Sequence, residues 1–164
     1  MKKFITAVSL TIAATGFAGL ANAETWAPLN TNGIVVANAP STPISVSKGI
    51  TLACDMSGMA NIDAAGSAEI SALSLSGSAG LCGSIGFFNF PYAMEGGAND
   101  VVTIKNVDVQ GITGNCLGDL VGTLDQATGE ITFTMAQIPA NPSGGAPCEV
   151  NGTVATTPAV SYTP

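Results

Sequence analysis

From Ile44 to Val154 the chain alternates apolar and polar residues in short runs. Ile44 and Val46 interleave with Ser45 and Ser47, and Ile50, Leu52 and Cys54 with Thr51 and Ala53. The same alternation returns in Leu73-Ser74-Leu75-Ser76, in Val107-Asp108-Val109-Gln110, in Ile131-Thr132-Phe133-Thr134-Met135 and in Val150-Asn151-Gly152-Thr153-Val154. Successive side chains of a strand point to opposite faces, so each run predicts a strand with one buried and one solvated face. Turn chemistry separates the runs. Asp125-Gln126-Ala127-Thr128-Gly129 lies between Leu120–Leu124 and Glu130–Met135, and Gly129 can take the positive φ that closes a hairpin; Asp63-Ala64-Ala65-Gly66 is a similar turn. No segment of helical length in this region is free of glycine and helically spaced. The pattern predicts an all-β domain, a two-sheet antiparallel β-sandwich or a jelly-roll-like barrel.

Ahead of this region the pattern changes twice. Residues 1–23 begin with Lys2 and Lys3, continue in an apolar stretch and end in Ala21-Asn22-Ala23, the small-residue pattern of a signal-peptidase site. Residues 24–43 are rich in Asn, Pro, Thr and Ala, and Pro28, Pro40 and Pro43 interrupt any continuous element. The expected organisation is a cleaved signal peptide over 1–23, an extended N-terminal arm over 24–43 with a short strand at Gly33–Val36, and one β domain over 44–164. Export follows from the leader, with the extracellular space, the outer cell surface or the periplasm as destination.

Charge then narrows the partners. Without the leader, two lysines, Lys48 and Lys105, face 11 acidic residues, a formal charge of −9, and there is no arginine. A phosphate backbone is bound by clustered Lys and Arg that displace its counterions, so nucleic acid is excluded. Charged residues make up 9% of the chain, against about 25% in an average soluble domain, which leaves Ser, Thr, Asn, Gly and Ala to form most of the surface. After the leader no apolar run approaches the roughly 20 residues that span a bilayer as a helix, so no transmembrane helix is expected in the mature chain.

Export also changes the reading of Cys54, Cys82, Cys116 and Cys148, which become disulfide candidates in an oxidising space. Four cysteines permit three connectivities. The chain from Cys54 to Cys82 and that from Cys116 to Cys148 each hold a strand, a turn and a strand, over 28 and 32 positions. This spacing favours Cys54 with Cys82 and Cys116 with Cys148, a bond between sheets being the alternative. Each such bond is expected to stabilise the fold by about 3–4 kcal/mol through the unfolded state.

Catalytic chemistry finds little to work with. The chain has no histidine, which removes the commonest general base, the Ser-His-Asp arrangement and the usual zinc sites. Ser47 and Lys48 are neighbours on an alternating strand and point to opposite sides. Asp55, Asp63, Glu69, Asp100, Asp108, Asp119, Asp125, Glu130 and Glu149 are dispersed and form no calcium-binding loop pattern. No catalytic residue, metal site or cofactor is expected.

Two surface features remain. Three of the four phenylalanines beyond the leader lie in Phe87-Phe88-Asn89-Phe90-Pro91-Tyr92. On a strand Phe88, Phe90 and Tyr92 share one face and Phe87 takes the other, as a core strand ending at Pro91 or as an apolar interface. The second feature is a scarcity of lysine for guarding sheet edges, which would let Ile34, Val35 and Val36 of the arm donate a strand to another copy.

Several segments together resemble a known family. Ile44-Ser45-Val46-Ser47-Lys48-Gly49-Ile50-Thr51-Leu52-Ala53-Cys54, Leu81-Cys82-Gly83, Gly114-Asn115-Cys116, and Cys148-Glu149-Val150-Asn151-Gly152-Thr153-Val154 followed by Thr156-Thr157-Pro158 are similar to the bacterial protein activators of alkane oxidation, the PraA and PraB family. The resemblance implies a small secreted or surface-exposed protein that promotes growth on alkanes by wetting or dispersing oil and is not itself an oxidase. Its partner would be an apolar alkane phase. The alternative reading from the residues is a self-associating subunit of a surface fibre or biofilm matrix, assembled through sheet edges. A carbohydrate- or surface-binding module, resting on Trp26 and Tyr92, is a third.

Overall fold

The alternating runs fold as strands and bury the faces that the alternation assigns, except at Ile50, which lies just before its strand and is exposed, and at Met135, which a bulge turns outward. The structure, a computed structural model, describes residues 24–39 and 41–164; the signal peptide expected over 1–23 lies outside the described residues. In chain order the strands are β1 (Thr25–Ala27), β2 (Thr31–Ala37), β3 (Ile44–Ser47), β4 (Thr51–Ile62), β5 (Ala68–Ser76), β6 (Gly86–Phe88), β7 (Tyr92–Gly96), β8 (Val101–Gly111), β9 (Gly114–Asp125), β10 (Glu130–Ile138), β11 (Ala140–Asn141), β12 (Cys148–Thr157) and β13 (Ser161–Thr163). In β4 the residues Cys54, Met56, Ala60 and Ile62 are buried while Asp55, Ser57 and Met59 face out. In β10 a bulge after Phe133, with Met135 at φ 48°, moves the inward set from Ile131 and Phe133 to Ile138.

The expected all-β class holds and a barrel forms, but it is neither a two-sheet sandwich nor a jelly roll. β4, β5, β7, β8, β9, β10 and β12 pair antiparallel in sequence order, β12 turns back to pair with β2, and β2 pairs with β4. The result is a closed, up-and-down barrel of eight staves, and the other sheet among the described residues is the two-stranded ribbon of β1 and β13. Period-two alternation requires only that one face of each strand be covered, and a sheet curved onto itself meets that requirement as well as two stacked sheets do. The choice is made by the pairing of Ala37 with Ala155, residues from opposite ends of the described chain. Inward faces are apolar, and outward faces carry Ser, Thr, Asp and Glu together with exposed Val35, Met59, Leu117, Val121 and Met135; the interior of a bilayer-spanning barrel is polar instead.

The segment expected as a free arm is built into this barrel. β2 is paired on both sides, with Ile34 and Val36 buried and Val35 turned outward. Residues 38, 39 and 41–43 leave the ladder in a short excursion, and β3 then resumes the same stave between β12 and β4. Asn38 holds the excursion in place: its side chain accepts from the Met56 N–H at 2.5 Å and donates to Asp55 at 3.2 Å and to the Thr42 carbonyl at 3.2 Å. Prolines forbid a continuous ladder here, but Pro28 falls between β1 and β2 and Pro43 just before β3, so they interrupt the stave without releasing it.

β1 and β13 pair with each other and close one end of the barrel. Trp26 and Tyr162, register partners in this ribbon, are both buried, with ring centroids 4.9 Å apart. Tyr162 donates its hydroxyl to the Gly97 carbonyl at 2.7 Å, and its N–H donates to Gln126 at 2.8 Å. Gly96 lies against the Tyr162 ring so closely that a Cβ there would overlap it. Beside it, the β9–β10 turn runs as expected through Gly129 at φ 72°, whose carbonyl accepts from the Thr156 hydroxyl at 2.9 Å.

Candidate functional site

The end opposite the ribbon is built differently. Here the β3–β4 turn, the loop between β5 and β6, the β8–β9 turn and the loop between β11 and β12 surround the mouth of an interior cavity of about 90 Å³. On a comparable measure a single water needs roughly 10–15 Å³. The cavity runs from Ile50, Leu81 and Ile112 at the mouth to Trp26 and Val160 at the closed end, past aliphatic side chains such as Ile104, Leu120 and Val154.

Polar side chains that border the cavity are confined to its two ends. Ser47, Lys48, Ser84, Thr113 and Glu149 stand at the mouth, and Thr156 near the closed end. Thr156 donates to the Gly129 carbonyl and accepts from the Val160 N–H at 3.0 Å, so its hydroxyl is already engaged. Lys48 reaches across the mouth: its Nζ donates to the Ala146 carbonyl at 2.6 Å and the Asn115 carbonyl at 3.2 Å, and lies 3.3 Å from Cys116 Sγ. An ammonium has three N–H donors, and these three contacts occupy them. Among the described residues, Trp26 Nε1 is the buried side-chain nitrogen left without a hydrogen-bond partner.

The rim is apolar and exposed. Ile112 is 70% exposed, Ile50 45% and Leu81 42%. They come from three separate loops, and the barrel gathers them around the opening. Both disulfides lie just below this rim. Cys54 is joined to Cys82 with Cα atoms 5.8 Å apart, and Cys116 to Cys148 at 6.1 Å, the pairing that the spacing favours.

The aromatic segment does not form one patch. Phe87 borders the cavity, Phe88 is 45% exposed on the outer wall, and Phe90 is half-buried with its ring 4.5 Å from that of Tyr92. Tyr92 is buried and hydrogen-bonded to the carbonyls of Phe88 and Asp108, and burial raises its pKa above the usual phenol value. The parity expected for an unbroken strand fails because the strand stops at Phe88, Asn89 turns at φ 62° and β7 begins only at Tyr92. Ile34 and Val36, expected as donor-strand residues, are core residues of a stave.

On the outer wall, charge is paired locally. Lys105 donates to Asp119 at 2.5 Å and lies 3.8 Å from Glu95. The hydrogen bond raises the lysine pKa and, reinforced by the Asn106 N–H, lowers that of Asp119. At the β4–β5 turn, the N–H groups of Ser67 and Ala65 donate to Asp63 at 2.8 Å each, and the Ser67 N–H leads in lowering its pKa. Among the described residues no group of His, Cys, Asp and Glu is placed to hold a metal ion, and no helix is long and apolar enough to cross a membrane.

A family model described as alkane oxidation protein activator, PraA/PraB-like, matches residues 1–164. The chain belongs to this activator family. Comparison with curated proteins and with solved structures found no match. In this member of the family the four cysteines on which the resemblance rested form the two bonds that brace the mouth.

Proposed function

We propose that this activator is exported and promotes alkane use without catalysing a reaction, by adsorbing at the oil–water or oil–cell boundary and wetting or dispersing the oil. The observation that carries the reading is the ring of Ile50, Leu81 and Ile112, apolar side chains held out in water around an apolar interior. Exposed apolar side chains gain free energy by leaving water, in proportion to the area they cover. The wall behind them mixes hydroxyl pairs, Ser57–Ser74 at 2.9 Å and Thr132–Thr153 at 3.0 Å, with exposed Val35, Met59, Val121 and Met135, and the mouth differs from it in presenting its apolar side chains around an opening. The formal charge of −9 beyond the leader would make coated droplets repel one another. Strand donation into a fibre draws no support from β2, which is paired on both sides.

The test is the hexadecane–water interfacial tension over the purified, oxidised protein, beside a secreted β-domain of similar size. The activator is expected to lower the tension faster and further than the control. Combining Ile50→Ser, Leu81→Ser and Ile112→Ser should bring it close to the control while leaving secretion normal. Parity between the unaltered protein and the control would defeat the proposal.

A further inference from the structure

We infer that the barrel interior is a binding site for one unbranched, uncharged hydrocarbon chain, which enters between Ile50, Leu81 and Ile112 and extends toward Trp26. The inference deepens the interfacial reading and rests on it only for the supply of the chain.

Shape gives the first argument. The cavity spans the barrel from mouth to ribbon, yet its volume is only about 90 Å³. A space so long for its volume is narrow, and it suits a linear chain better than a ring or a branched skeleton. It is also bordered along its length by aliphatic side chains, and apolar cavities of this kind stay dry and accept apolar guests.

The second argument is chemical and separates a hydrocarbon from a fatty acid. A carboxylate at the mouth would need a free cationic donor, but Lys48 has its three donors committed to Ala146, Asn115 and Cys116. Glu149 borders the same opening, and the chain beyond the leader carries a formal charge of −9, so an anion meets repulsion as it approaches. At the closed end the Thr156 hydroxyl is engaged within the protein. That leaves the Trp26 N–H, and one neutral donor does not offset the cost of removing a carboxylate from water. A chain with no head group loses nothing in such a site.

Trp26 provides the reporter, because it is the only tryptophan in the chain and it borders the cavity. The protein, with both disulfides intact, is titrated in bulk water with bromododecane, whose bromine quenches indole emission on contact. Quenching is expected to saturate at one equivalent and to reverse when unbrominated dodecane is added. The anion ω-bromododecanoate should bind roughly tenfold or more weakly, because it brings an unpaired charge to the site. In Ala60→Phe, which fills the cavity toward its closed end, near the end of β4, saturable quenching should disappear while the fall in interfacial tension persists. Should that variant fail to fold, the comparison of alkane with carboxylate on the unaltered protein still decides the matter. Quenching that never saturates, or equal affinity for the two ligands, would overturn the inference. A normal fall in tension without saturable quenching removes the binding site and leaves the interfacial reading standing, and saturable quenching without that fall does the reverse.

Discussion

The two ends of the barrel solve opposite problems. At the ribbon end, buried rings and hydrogen bonds exclude water: Trp26 packs on Tyr162, and Tyr162, Gln126, Gly97 and Thr156 tie together elements distant in sequence. At the mouth, apolar side chains stand in water, and the loops that hold them are fixed by two disulfides and the reach of Lys48. One end is stabilised by burial. The other remains open because covalent bonds supply what burial cannot. The difference teaches that a small barrel can expose an apolar opening without collapsing over it, provided that the rim is braced independently of the core.

Removing the ring at the closed end should give the largest effect. Tyr162→Ala deletes a buried aromatic and its hydroxyl bonds, and is expected to cost about 3–5 kcal/mol in thermal or denaturant unfolding, the range for large aromatic deletions in cores. A loss of under 1 kcal/mol would mean that the ribbon is an ornament and the comparison is mistaken. Replacing Cys116 and Cys148 together by Ser should cost less, about 2–4 kcal/mol, and should raise hydrogen exchange in the mouth loops while leaving the amides of β1 and β13 protected. Equal loosening of both ends would show that the bond stabilises the barrel as a whole.

The smallest effect is a pH dependence at the β4–β5 turn beside the ribbon. Hydrogen bonds from Ser67 and Ala65 lower the Asp63 pKa below the ordinary 3.8. A carboxyl whose folded pKa is depressed stabilises the fold fully above its ordinary value, and loses that contribution as the pH falls through the lowered one. Exchange at the Ser67 and Ala65 amides, corrected for the intrinsic rate, should therefore rise only below that ordinary value, while the mouth, braced by disulfides that do not titrate, stays constant. Asp63→Asn should abolish the step.

How much of this could be read from the sequence depended on distance along the chain. Alternation located β3, β4, β5, β8, β10 and β12, because a strand with one face in the core must repeat every two residues. The Asp125–Gly129 turn was legible because its chemistry is local, and the cysteine pairing because each pair frames one hairpin. Closure was not legible, since it depends on β2 meeting β12, and the prolines around β2 suggested a free arm. The rim was missed for the same reason: Ile50, Leu81 and Ile112 are single apolar residues in separate loops, and they become neighbours only when the barrel forms. The Phe87–Tyr92 run drew attention by its density, yet neighbours on a strand face opposite ways, and of its four aromatic residues only Phe88 is strongly exposed.

The scarcity of cations has a consequence for resistance to proteolysis. Trypsin-like proteases cut after lysine or arginine, and beyond residue 23 they would find only Lys48 and Lys105. The first is drawn across the mouth into carbonyl contacts, and the second is held by Asp119 in the middle of a ladder. Even if both bonds were cut, the Cys54–Cys82 bridge would keep the fragment from 49 to 105 closed on itself and Cys116–Cys148 the fragment from 106 to 164, while β2 and β3 stay paired between β12 and β4. A barrel poor in lysine is thereby a durable one where secreted digestive enzymes are abundant.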